Sequence, residues 1–120
     1  MVMRARQRLP GGDRYRWTNH VMRKMRFYGL SPARILRVIR APRRMEEGVA
    51  PGTLAAMQPA GTKAKPWEVW VMWREELRGQ RQKIVITAWR YPGISPIRGA
   101  VPLPAGLAAE LEAEGVFVIS

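Results

Sequence analysis

The chain has no cysteine, one histidine and, in its first 44 residues, one acid. Without cysteine there can be no disulfide, no thiolate nucleophile and no cysteine-ligated metal site. The same absence accords with a reducing compartment. One histidine among scattered carboxylates makes no ligand constellation, so no metal or other cofactor is expected. No run of about 18 apolar residues occurs, so no membrane partner is expected. The stretch Met1–Pro10 is basic but no apolar segment follows it, so it does not read as a secretory signal, and the cytoplasm is the expected location. Gly-x-x-x-x-Gly-Lys, Gly-x-Gly-x-x-Gly and a nucleophile elbow are all missing, which leaves nucleotide hydrolysis and acyl transfer without support. Glu46-Glu47 and Glu75-Glu76 are adjacent pairs that point apart in extended chain, so neither makes a catalytic dyad.

What is present is basic charge, unevenly placed. The 120 residues suit one domain, and 47% apolar content is ordinary for a folded one. Residues 1–44 hold 13 basic residues against Asp13, a net of +12, and residues 45–120 hold eight basic and eight acidic residues, a net of zero. Twelve of the 13 are arginine, the side chain suited to forked phosphate contacts and to stacking on bases. Such asymmetry points to a polyanion, because each cation laid on a phosphate releases condensed counterions. RNA or DNA is the first expectation. A solvated basic face, or a surface that docks an acidic protein partner, is the alternative.

The pattern along the chain predicts an α+β fold. Residues 1–12 read as a flexible basic arm ending in Pro10-Gly11-Gly12, and residues 13–120 as one domain. Arg14–Trp17 alternates charge with aromatics, as a short edge strand does. A helix follows, capped by Thr18 or Asn19 and closed by Gly29, with Val21, Met22, Met25 and Tyr28 as its buried stripe. A second helix starts from Ser31 and Pro32, buries Ile35, Val38 and Ile39, and stops at Pro42. Arg34, Arg37 and Arg40 recur every three residues beside that stripe. Strands are expected at Arg43–Glu47, Thr53–Gln58, Trp67–Arg74 and Lys83–Tyr91, the last two being central and joined through Glu75–Gln82. Residues 92–120 read as a Pro-rich extension with a short acidic helix at Leu107–Glu114 and a final segment at Val116–Ile119. The expected architecture is an N-terminal helical hairpin packed on a curved antiparallel sheet of three to four strands.

Three motifs carry a family resemblance: His20-Val-Met-Arg-Lys-Met25, then Gly29-Leu30-Ser31 and a helix ending in Ala41-Pro42, then Val85-Ile-Thr-Ala-Trp-Arg90. This order resembles an uncharacterised bacterial and phage family with His-x4-Met, Gly-Ile-Ser, a second helix ending near a proline, and a closing strand of the form Val-Thr-Val-Tyr. That family is similar to the BrnT- and RelE-type ribonuclease toxins of toxin–antitoxin systems. The resemblance spans about residues 14–91. It departs at Tyr28, where the family carries a basic residue, and the Pro-rich segment after Tyr91 lies outside it. It implies a RelE/BrnT-like fold and RNA as ligand, with the ribosome as an implied partner.

Metal-independent RNA cleavage requires a base, a cation for the phosphorane charge and an acid. His20, at the start of the first helix, faces a dipole that favours neutral imidazole and suits it to be the base. Alternatively it caps the helix or bonds into the sheet. The resemblance implies roles for Arg90, Lys83 and Tyr91 on the closing strand, where RelE-type enzymes use Arg, Lys and Tyr. A solvated edge arginine and a turn tyrosine are the alternative. Strict alternation places Lys83, Val85, Thr87 and Trp89 on one face and Ile84, Ile86, Ala88 and Arg90 on the other. Nucleic acid is expected on Arg23, Lys24, Arg26, Arg34, Arg37, Arg40, Arg43 and Arg44. Trp67, Trp73 and Trp89 are expected in the core, and Trp70 either in the core or exposed as a stacking platform.

Overall fold

The computed structural model describes residues 9–97 and 99–115, the side chains of residues 78 and 80 aside. Residues 1–8 of the expected arm and the segment Val116–Ile119 lie outside the described residues. A single 3-10 turn at Gly12–Arg14 leads into β1 (Tyr15–Trp17), α1 (Asn19–Tyr28), α2 (Pro32–Arg40), β2 (Arg44–Glu47), β3 (Thr53–Gly61), β4 (Pro66–Arg78), β5 (Gln80–Pro92) and α3 (Leu107–Ala113). The fold is α+β, with three helices and an open mixed sheet of five strands in the order β1-β5-β4-β3-β2.

Local chemistry explains the helices. Thr18 Oγ1 accepts from Val21 N at 3.0 Å to start α1, and Gly29 ends it at φ +69°, where a side chain would be strained. Ser31 accepts from Arg34 N at 3.1 Å to start α2, with Pro32 in the first turn. α1 packs on β5, and α2 packs on β3 and β4.

The sheet is larger than its sequence pattern implies. The β4–β5 hairpin runs on to Arg78 and resumes at Gln80, so Gly79 alone, at φ +76°, stands where a turn from Glu75 to Gln82 was expected. β1 joins as a fifth strand, parallel to β5 with Tyr15 opposite Lys83. Its three residues leave most of that edge of β5 without a strand. α1 takes over there. Thr18 N donates to Val85 O at 3.2 Å and Thr18 Oγ1 to Ile86 O at 2.9 Å, while at the other end Arg90 Nη1 donates to Tyr28 O at 3.3 Å. The helix thereby shields an edge that would otherwise offer free backbone groups to another chain.

Both faces of the sheet are buried. On one, Val21, Met25, Ile35, Val38 and Ile39 from the helices meet Val69, Val71, Trp73, Val85 and Ala88. On the other, Leu107 and Leu111 of α3, with Val101 and Leu103 before it, cover Trp70, Met72, Ile86 and Trp89. This second layer is why the central strands are apolar on both faces. Trp70 is fully buried, stacked on its cross-strand partner Trp89 with centroids 5.9 Å apart and planes 3° from parallel. Glu68 is buried beneath the Pro-rich segment and accepts from Trp70 Nε1 (2.9 Å), Ser95 N (3.1 Å) and Ser95 Oγ (2.7 Å).

A register shift corrects the expected alternation on β5. Met72 pairs with Thr87 but Trp73 pairs with Val85, so Ile86 is the extra residue of a bulge. Val85 and Ala88 consequently share the helix-covered face, and Ile86 and Trp89 share the other. The bulge also re-aims Thr87.

Candidate functional site

Thr87 Oγ1 lies 3.0 Å from His20 Nε2, and His20 Nδ1 lies 3.2 Å from Glu114 Oε1. Arg23 donates to the same carboxylate oxygen, and Lys24 Nζ pairs with Glu110 at 2.9 Å. His20 is only 1% exposed. Its burial holds the imidazole below its ordinary pKa, against the opposing pull of the Glu114 carboxylate. The hydrogen bond from Arg23 in turn holds Glu114 below the usual carboxylate range. A neutral imidazole beside a carboxylate must carry its proton on Nδ1, because an ionised carboxylate only accepts. Thr87 then donates its hydroxyl proton to Nε2.

Carboxylate, imidazole and hydroxyl in this order have the form of a nucleophilic triad. Access decides otherwise. Thr87 is fully buried, and it is absent from the wall of the open cleft of about 650 Å³ that His20 lines together with Arg16, Thr18, Arg23, Arg74 and Glu114. The relay ties the first turn of α1 to the bulge and to the end of α3. The oxygens of Glu110 and Glu114 and His20 Nδ1 also lie within 4.8 Å of one another, as metal ligands would. Here, however, Arg23 and Lys24 already neutralise the two carboxylates.

The residues expected to share a site with His20 stand elsewhere. Arg90 is anchored at Tyr28, roughly 12 Å along α1 from His20 at the helical rise. Lys83 is paired with Glu75 at 3.3 Å and lies seven residues from Arg90, roughly 23 Å of strand. Tyr91 packs at the margin of the α3-covered cluster.

The expected nucleic-acid residues divide into two groups. Arg23 and Lys24 are ion-paired to the end of α3. Arg44 is structural in its contacts. Its side chain is 12% exposed, pairs with Glu46 at 3.0 Å, donates to Ser95 Oγ at 2.8 Å and lies over Trp70 at 5.1 Å. Arg26, Arg34, Arg37, Arg40 and Arg43 have no carboxylate partner among the described residues, and neither do Arg14 and Arg16 ahead of α1. Arg26, Arg37, Arg40 and Arg43 are exposed. Arg34 and Arg40 approach the rings of Trp67 and Tyr15 at 5.6 and 5.8 Å.

The sequence did not single out Thr87 or Glu114. Glu114 sits 94 residues from His20, and only the path of the Pro-rich segment brings the two together. Comparison with protein-family models, curated proteins and solved structures finds no match for this chain.

Proposed function

We propose that this protein binds RNA through the arginines of α2 and its flanks, and that it does so without cleaving it. The observation that carries the reading is the division of the arginines. Carboxylates occupy Arg23, Lys24 and Arg44, while Arg26 in the last turn of α1, Arg34, Arg37 and Arg40 on α2, and Arg43 in the turn after it have no carboxylate partner among the described residues. A run of unpaired guanidiniums raises the local potential, and laying them on phosphates releases counterions from the nucleic acid.

Cleavage receives no such support. The imidazole of His20 is almost wholly buried with both nitrogens engaged, and the cation meant to share its site is at the far end of α1. A likeness to the RelE/BrnT arrangement is supported by the order of helix, helix and then antiparallel strands. On this proposal any such kinship extends to the scaffold and to RNA as ligand, and not to the reaction.

Electrophoretic shift of RNA and DNA at low and moderate salt tests the reading. A shift that weakens with salt is the expected result. No shift with either nucleic acid at low salt overturns it, and capture of an acidic protein instead would assign the surface to that class of partner.

A further inference from the structure

Arg90 is unlike the other arginines in how it is held. Its guanidinium carbon lies 3.7 Å from the centroid of the Trp67 ring, the spacing of two planes in face-to-face contact, and one of its nitrogens donates to Tyr28 O at 3.3 Å. No carboxylate pairs with it among the described residues, and the side chain is exposed. One face of the planar cation is thus covered by indole, while its exposure leaves it within reach of a ligand from solvent.

Trp67 is itself fixed. It packs on the bare backbone of Gly61, where an added Cβ would stand 2.6 Å from the indole Cδ1, and Gly61 has φ +79° besides. Arg34, the first of the uncompensated arginines of α2, lies over the same ring at 5.6 Å. Lys63 and Lys65 are exposed in the β3–β4 turn that precedes Trp67. Phe27 is 76% exposed and meets Tyr28, whose carbonyl holds Arg90, edge to face at 4.8 Å.

We propose, resting on the nucleic-acid reading above, that Arg90 on Trp67 is a stacking platform for an unpaired base, so that the ligand is single-stranded. A guanidinium already desolvated on one side and tied down by a hydrogen bond loses little freedom when a base covers its other side. Arg34 and the two lysines then stand beside the base, where the flanking phosphates run. A base inside a duplex has no free face to offer, so stacking selects single strands over duplex. Arginine serves here where lysine would not, because only the planar cation presents a stacking surface.

Fluorescence anisotropy with three RNA probes of equal length tests this: oligouridylate, an abasic strand and a duplex. The Arg90→Lys variant keeps the charge and removes the plane. It is expected to weaken oligouridylate binding about 5- to 30-fold with an unchanged salt slope, and to leave the abasic strand and duplex within about twofold, which also reports that the variant is folded. Arg37→Ala is expected to weaken all three probes together. If Arg90→Lys leaves oligouridylate unchanged, or weakens all three alike, the platform is overturned while the Arg37→Ala result keeps the broader reading. If the parent binds none of the three at low salt, both fall.

Discussion

His20 and Arg90 are held at opposite ends of α1, the first by Thr87 and Glu114 and the second by the carbonyl of Tyr28. A helix cannot bend to bring its two ends to one phosphate, so the pair cannot act as base and cation on one phosphodiester. Pure protein is therefore expected to leave RNA intact, with or without EDTA, and also when the RNA is presented on translating ribosomes. His20→Gln should not change binding. Metal-independent cleavage yielding 2′,3′-cyclic phosphate, and lost in His20→Gln, would reverse this conclusion.

Binding should carry the signature of the uncompensated arginines. With five to seven phosphates touched, the slope of log affinity against log salt should lie at about −3.5 to −5 for a single strand. Removing Arg37 or Arg40 singly should reduce that slope by about one. Arg44→Ala should behave differently, lowering stability because it takes a donor from Ser95 and a partner from Glu46, with the salt slope scarcely moved. Titrations of each variant in salt and in denaturant separate the two effects. A slope unchanged in both Arg37→Ala and Arg40→Ala would remove α2 from the interface.

Acid should destabilise the fold through His20. Its folded pKa lies below the ordinary 6.5, so between the two values the unfolded chain binds a proton that the folded chain refuses. Stability is fully present above about pH 6.5 and is lost as pH falls toward the folded value. Glu114 is held low by Arg23, and its contribution has the same sign but is lost only at lower pH, below the ordinary carboxylate range. Lys24 and Glu110 face the same imidazole with opposite charges. Urea midpoints at pH 7.5 and 5.5 should differ for the parent, and the difference should shrink in His20→Gln, which has nothing there to titrate. An equal difference in both proteins would place the acid sensitivity elsewhere.

Ile86 occupies the bulge and is fully buried against the α3 layer. Ile86→Ala should cost about 2–5 kcal/mol, because the cavity it leaves is walled by Trp70, Met72 and Trp89, which have little room to collapse. A loss below about 1 kcal/mol in denaturant unfolding would show that the second layer is not closely packed on the sheet.

The sequence by itself determined what is local. Thr18 and Ser31 as caps, Gly29 as a left-handed stop and Pro32 in the first turn of its helix are each set by a residue's own backbone preference and its neighbours within one turn. The apolar runs of β4 and β5 announced buried strands, and the concentration of arginine before residue 45 needed no structure to be seen. Tertiary structure decided what depends on distant partners. Whether β1 pairs in parallel, and where β5 bulges, follow from how two covered faces pack, and period-two alternation does not encode an extra residue at Ile86. The pairing of His20 with Glu114 rests on a segment that crosses the second face of the sheet. Which arginines stay uncompensated was likewise beyond the sequence, because a guanidinium is neutralised by whichever carboxylate the fold brings within reach. Arg23 and Arg37 read alike as exposed helical arginines, and only the end of α3, lying beside the first and not the second, makes one a tether and leaves the other without a carboxylate partner among the described residues.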